Sequence, residues 1–84
     1  MPPMKVRLLY FAVLRDIIGE STSEVTLDEG TRPSDVWASL RKTYPRLAGY
    51  QRPPLTAVNE SYVSPDDPLQ DGDELVFIPP VAGG

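Results

Sequence analysis

The residues best suited to chemistry stand at the end of the sequence, Val76-Phe77-Ile78-Pro79-Pro80-Val81-Ala82-Gly83-Gly84. A strongly apolar strand runs into two prolines, and the chain finishes in small residues. Proline has no N–H to give to a sheet, so Pro79 and Pro80 release the chain from its neighbours. Each also fixes its own φ and restricts the residue before it, which keeps the released segment extended. Gly83 and Gly84 carry no Cβ. Such a tail passes through a narrow channel and presents its α-carboxylate to another protein's active site. The plain alternative is an ordinary frayed terminus, where disorder usually concentrates.

The rest of the composition makes an independent active site hard to build. The 84 residues contain no cysteine and no histidine. That removes a disulfide framework, a Cys/His zinc site and a Cys or His nucleophile–base pair. It also removes the commonest general base at neutral pH. A chain of this length is one small domain, and a catalytic cleft would take up much of its core. Eight basic against twelve acidic residues give a net charge of −4. The basic residues, Lys5, Arg7, Arg15, Arg32, Arg41, Lys42, Arg46 and Arg52, are scattered. Nucleic acid and anionic membrane are therefore poor partners, and a basic protein surface is a better one. No apolar run approaches the roughly 20 residues of a membrane span, and Met1-Pro2-Pro3-Met4 is no signal peptide. The expected location is cytoplasmic.

Three weaker signals are read as structure. Asp66, Asp67, Asp71, Asp73 and Glu74 form an acidic cluster, but without the alternating ligands and distant glutamate of an EF-hand. Solvated turns, or salt bridges to a basic partner, explain it better. Asn59-Glu60-Ser61 fits a glycosylation acceptor, which is irrelevant in a cytoplasmic protein. Trp37 falls on a helical apolar stripe and is read as core. No glycine-rich phosphate loop is present.

The elements that must position the tail follow from periodicity. Lys5–Phe11 reads as a strand, with Val6, Leu8 and Tyr10 set against Arg7, Leu9 and Phe11. Ala12–Ile18 reads as a short helix stopped by Gly19 in the left-handed conformation. Val25 and Leu27 alternate with Glu24 and Thr26 in a second strand, closed by Asp28-Glu29-Gly30 and antiparallel to the first. The main helix starts near Thr31 or Arg32, because Pro33 is tolerated only in a first turn. Asp35 then lies at its positive end, and Arg41 and Lys42 at its negative end. Val36, Trp37, Leu40 and Tyr44 make its buried stripe, Pro45 stops it, and Leu47 tucks beneath.

A loop over residues 48–54 precedes a strand at Leu55–Asn59. Asn59-Glu60 turns the chain into a short strand at Ser61–Val63. Leu69 anchors the irregular stretch that follows, and Asp71-Gly72-Asp73 turns into a last strand at Glu74–Ile78. Leu75 and Phe77 lie on one face of that strand, Val76 and Ile78 on the other. Apolar residues on both faces predict a central strand, covered by the helix on one side and open to a partner on the other. The order ββαβββ, with the most hydrophobic first and last strands parallel at the centre, is a two-layer α+β domain of the β-grasp type. Residues 1–78 form the domain and 79–84 the tail.

These segments together resemble the ubiquitin-like sulfur carriers, and within them the small subunits of molybdopterin synthase. The resemblance runs from Val6 to Gly84. It rests on Leu9-Tyr10-Phe11-Ala12 leading to Arg15 and Gly19, and on Ala57-Val58-Asn59 with Val63. It continues with Pro68-Leu69, Asp71-Gly72-Asp73-Glu74 and the whole of Phe77–Gly84. The Gly-Gly ending is common to all such carriers, whereas Pro-Pro before small residues is more like the molybdopterin branch than the thiamine branch. The departures are the Met1-Pro2-Pro3 extension, with Met4 as an alternative start, and Pro33 where an apolar β-branched residue is common.

The resemblance implies a carrier that binds no cofactor itself. A ubiquitin-activating-like adenylyltransferase would adenylate Gly84 with ATP, and a sulfur donor protein would convert the adenylate to a thiocarboxylate. The tail would then enter the large subunit of a heterotetramer and supply sulfur for the dithiolene of molybdopterin. Gly84 would bear the reacting group and Gly83 give clearance. Pro79, Pro80, Val81 and Ala82 would lie in the partner's channel, and Phe77 would anchor the docking face, with a core position equally open for it. Leu9 and Phe11 are read as core, the docking patch being the alternative. Three other functions fit the same tail: a sulfur carrier for thiamine, cysteine or tRNA thiolation, a ubiquitin-like modifier forming isopeptide bonds, or a passive interaction domain.

Overall fold

The computed structural model describes residues 3–49 and 55–78, so the expected tail over 79–84 lies outside the described residues. Strand β1 (Met4–Tyr10) leads into helix α1 (Val13–Ile18), and β2 (Thr22–Leu27) into helix α2 (Pro33–Thr43). A 3₁₀ turn over Pro45–Gly49 precedes β3 (Leu55–Val58), β4 (Ser61–Tyr62) and β5 (Glu74–Ile78). The five strands form one mixed sheet in the order β2-β1-β5-β3-β4. The first and last strands are parallel neighbours, with Leu8 opposite Leu75 and Tyr10 opposite Phe77. All other pairings are antiparallel. This is the β-grasp arrangement that the alternation predicts.

One face of the sheet meets α2 and holds the core. Met4, Val6, Leu8 and Tyr10 of β1 point into it, together with Leu75 and Phe77 of β5. Val36 and Trp37 of α2 cover them, Leu40 and Tyr44 extend the same stripe, and Leu14, Leu47 and Leu69 fill the margins. The rings of Trp37 and Phe77 meet at 5.1 Å between centroids, tilted by 54°, a favourable aromatic geometry. Leu47 and Leu69 are fully shielded, as read from sequence.

The helix boundaries have local causes. Arg32 is extended, Pro33 occupies the first turn, and Asp35 Oδ2 accepts the Arg32 backbone N–H at 3.0 Å. That carboxylate satisfies an otherwise orphan donor at the positive end of the helix. The Ser34 N–H donates to Pro65 O and the Leu69 N–H to Thr31 O, both at 2.9 Å, tying the long 63–73 connection to the helix start. At the other end Tyr44 closes on Leu40 O at 2.8 Å, and Pro45 prevents a further turn. Gly19 stops α1 at φ 88°, the left-handed conformation expected of it.

Tyr10 carries the one buried hydroxyl that β1 brings to this core. Its phenol lies 2.8 Å from Ser23 Oγ, and burial raises its pKa above the ordinary tyrosine value despite that hydrogen bond. A raised folded-state pKa means that the neutral phenol is favoured in the native protein. Its contribution is intact below the unfolded pKa of about 10 and is lost as pH rises beyond it. The expected outcome is a fall in urea midpoint above that pH, absent in Tyr10→Phe. Phe77→Ala should cost about 3–5 kcal/mol, a large part of the roughly 5–15 kcal/mol that small domains possess. Urea unfolding followed by tryptophan fluorescence measures both.

Candidate functional site

Strand β5 fixes the place where the tail segment begins. It is third of five strands, held by β1 through Tyr10 opposite Phe77 and by β3 through Leu55 opposite Ile78. Its side chains alternate between two environments. Leu75 and Phe77 enter the core, while Val76 and Ile78 face the side of the sheet that α2 leaves open.

That open face is apolar around Ile78. Leu9 and Phe11 continue β1's outward row, Ala57 lies opposite Val76, and Tyr62 lies opposite Ala57. Together with Val76 and Ile78 they line a concavity of about 310 Å³ whose rim includes Glu60 and Glu74. Two members are conspicuously bare, Phe11 at 53% exposed and Tyr62 at 73%, and Leu55, opposite Ile78, is 60% exposed. Adjacent exposed apolar side chains with acid at the rim have the make-up that protein contacts use. Farther along the same face Lys5, Arg7, Glu24 and Glu74 make a charged half, with Arg7 Nη1 3.5 Å from Glu74 Oε2.

Two expectations require correction. Phe77 is not a docking anchor, since it is 2% exposed and packed on Trp37; strand alternation turns it to the helix side, and Ile78 takes the outward position beside it. Leu9 and Phe11 are not core, because the same alternation puts them opposite Val6, Leu8 and Tyr10. Leu55 and Tyr62 escaped the sequence reading altogether. Their signal was present, since each is an apolar residue in phase with Ala57, the residue that pairs with Val76. Pro79, Pro80, Val81, Ala82, Gly83 and Gly84 lie outside the described residues.

The acidic cluster divides into two parts. Asp71 Oδ1 accepts the Lys5 N–H at 2.7 Å, and Asp73 Oδ2 accepts the Gln70 N–H at 2.8 Å. Asp73 Oδ1 and the Glu74 N–H both bond the Asn59 side chain at 3.0 Å. These groups lock the turn before β5 to β1 and to the β3–β4 turn. Asp66 and Asp67 are exposed, in a turn around Ser64. Among the described residues no group of three or more acidic side chains is placed to hold a metal ion, and no helix is long and apolar enough to cross a membrane.

The chain belongs to the ThiS family, whose profile matches residues 8–84. It is 39% identical over 88 residues to the molybdopterin synthase sulfur carrier subunit of Escherichia coli, covering 94% of this chain and 99% of that one. The corresponding subunit of Chlamydomonas reinhardtii is 35% identical over 83 residues, covering 96% of this chain and all of that one. A solved structure from Pyrococcus furiosus, described as a putative molybdopterin converting factor subunit 1, superposes with a TM-score of 0.79 at 34% identity. It covers 93% of this chain and 99% of that chain. At 22% identity, a chain of the Helicobacter pylori protein-protein complex of subunits 1 and 2 of molybdopterin-converting factor shares the fold, with a TM-score of 0.62. The match covers 96% of this chain and 100% of that one.

One backbone feature borders the patch. Ala12, between the exposed Phe11 and α1, has φ 51° and ψ −125°, a region that glycine enters freely and a Cβ resists. Such residues cost about 1–3 kcal/mol, more than the extra chain entropy of glycine. Ala12→Gly should therefore raise stability by about 1 kcal/mol, read as a higher urea midpoint with an unchanged slope.

Proposed function

We propose that this protein is the sulfur carrier subunit of a molybdopterin synthase, acting in the cytoplasm through a thiocarboxylate on Gly84. The observation that carries the reading is the apolar patch around Ile78, at the point where β5 hands over to Pro79-Pro80-Val81-Ala82-Gly83-Gly84. A carrier needs both parts: a surface that seats the folded domain on a partner, and a thin tail that reaches into the partner's active site. The names of its relatives, with matches spanning nearly the whole chain, support the same reading.

The chemistry explains the tail's composition. A carboxylate is a poor electrophile because its oxygen is a bad leaving group. In the adenylyltransferase the Gly84 carboxylate oxygen attacks the α-phosphorus of ATP and pyrophosphate leaves. A persulfide of the donor protein then attacks the acyl carbon and displaces AMP, giving an acyl disulfide. A second thiol attacks the donor's sulfur in that S–S bond, forms a disulfide with it and releases the thiocarboxylate on Gly84. In the large subunit that sulfur is the nucleophile that builds the dithiolene, and each carrier delivers one. Gly83 lets the chain pass a constriction, and the prolines hold the approach extended. Burial in the partner shields the thiocarboxylate from water. The catalytic side chains and the pterin pocket belong to the large subunit, a partner of the kind named with subunit 1 in the H. pylori complex.

Deleting Gly84 should abolish sulfur delivery and leave the unfolding curve unchanged. After incubation with ATP, its activating enzyme and a sulfur source, the intact protein should gain the mass of one sulfur-for-oxygen exchange, mapped to Gly84. An unchanged mass under those conditions would overturn the carrier reading, and conjugates surviving denaturation and reduction would assign a modifier instead. Ile78→Lys should weaken binding to the large subunit by about tenfold or more, the effect of an interface hot spot, as read by calorimetry.

A further inference from the structure

A second surface, on the opposite edge of the sheet, takes no part in the carrier chemistry. Strand β2 ends the sheet on one side and, at six residues against two for β4, is its long free edge. Its pairing phase is fixed by the Tyr10 N–H, which donates to Ser21 O at 2.9 Å. In an antiparallel ladder bonded residues alternate, so Ser23, Val25 and Leu27 bond to β1. Thr22, Glu24 and Thr26 therefore direct their backbone N–H and C=O groups outward. That leaves a row of donors and acceptors able to pair with one more strand.

The same edge borders an apolar groove. Val25 and Leu27 on β2, with Val36, Leu40, Ser39 and Asp35 on α2, line a space of about 140 Å³. This is several times the roughly 30 Å³ of one water. A strand added to β2 would drop every second side chain toward this groove. The intervening side chains would lie on the other face, beside Glu24.

Charge specifies those intervening residues. The segment from Glu20 to Glu29 contains Glu20, Glu24, Asp28 and Glu29 and no lysine or arginine. None of the four makes an ion pair with the described residues, whose two ion pairs are Arg7–Glu74 and Arg32–Asp35. Arg7 and Lys5 stand one strand inward, opposite Glu24 and Thr26, but the edge strand itself carries only acid, which repels an acidic strand or a second copy of this chain and favours a basic one. We propose that β2 and its groove form a docking site for an extended peptide segment in which aliphatic and basic residues alternate. The peptide pairs with the backbone of Glu24 and Thr26, sets its aliphatic side chains between β2 and α2, and sets its basic ones against Glu24. This site goes beyond the carrier reading and uses no residue of the tail or of the patch around Ile78, so either can fail without the other.

The test uses the full chain and a short, terminally blocked peptide of alternating valine and lysine, followed by amide NMR. Amide shifts should move along 22–27 and the facing side of α2, and exchange at the outward N–H groups of Glu24 and Thr26 should slow. Thr26→Pro removes an outward donor without touching the ladder to β1 and should weaken binding by about tenfold. Glu24→Lys, at an exposed position that cannot unfold the core, should weaken it by about threefold. The valine–glutamate counterpart of the peptide should not bind. The proposal is overturned if the shifts fall on the Ile78 face, if both peptides bind alike or neither binds, or if both variants bind as the wild type does. Sedimentation showing β2-dependent pairing of two copies would also overturn it.

Discussion

The parallel pairing of β1 with β5 is the constraint on which the rest of the structure depends. It joins segments that lie at opposite ends of the sequence, with Arg7 beside Glu74 and Tyr10 beside Phe77. The pairing is clamped from below by Asp71, whose carboxylate takes the Lys5 N–H, and by Gly72, whose N–H reaches Lys5 O at 2.8 Å. Every other element leans on this pair. β2 and β3 add to its two sides, and α2 lies across its inner face with Trp37 on Phe77. The apolar patch forms on the outer face because both central strands carry apolar residues there as well.

The strand at the centre therefore has two duties separated by one residue. Leu75 and Phe77 hold the core, while Val76 and Ile78 turn to the other face, Val76 buried there and Ile78 partly exposed. A strand with one buried face would carry polar residues at the outward positions. The departure from that pattern is the ground on which a docking role is proposed for this face, since Phe11, Leu55 and Tyr62 stay exposed there. The polar work falls on neighbouring segments: Asn59, Asp71 and Asp73 satisfy the backbone of the turns that lead into β5.

Much of this was legible in the sequence because the relevant signals are local. The span Glu74–Ile78, the stop at Gly19, the place of Pro33 in the first turn of the helix and the anchors Leu47 and Leu69 each follow from periodicity or from proline and glycine. What escaped depended on tertiary placement. Phe77 read as a possible anchor because the resemblance implies docking through the sheet face near the tail, although its own alternation with Val76 already put it beside Leu75. Leu9 and Phe11 read as core because apolar residues in a strand usually are, and only a helix confined to one face reverses that. The roles of Asp71 and Asp73 were invisible, since Asp71 takes the backbone N–H of Lys5 from the far end of the sequence and Asp73 joins the nearby Gln70 N–H to the side chain of Asn59.

The free N–H and C=O groups along β2 and the uncovered patch at the far side of β5 are both unfinished surfaces, but they differ in kind. One offers direction-specific hydrogen bonds and little area, the other apolar area and few hydrogen bonds. The order of synthesis sets when each appears. Residues 4–49 can emerge and form α2 and the β1–β2 hairpin, yet they bury no finished core until β5 arrives between β1 and β3. Long-range pairings of this sort close slowly, and until then the inner row of β1 has α2 over it but lacks Leu75 and Phe77 beside it. A nascent chain of this protein therefore passes through an interval in which it is adhesive on both sides of one sheet. The carboxylates of residues 20–29, translated well before β5, give such chains a like charge that keeps them apart.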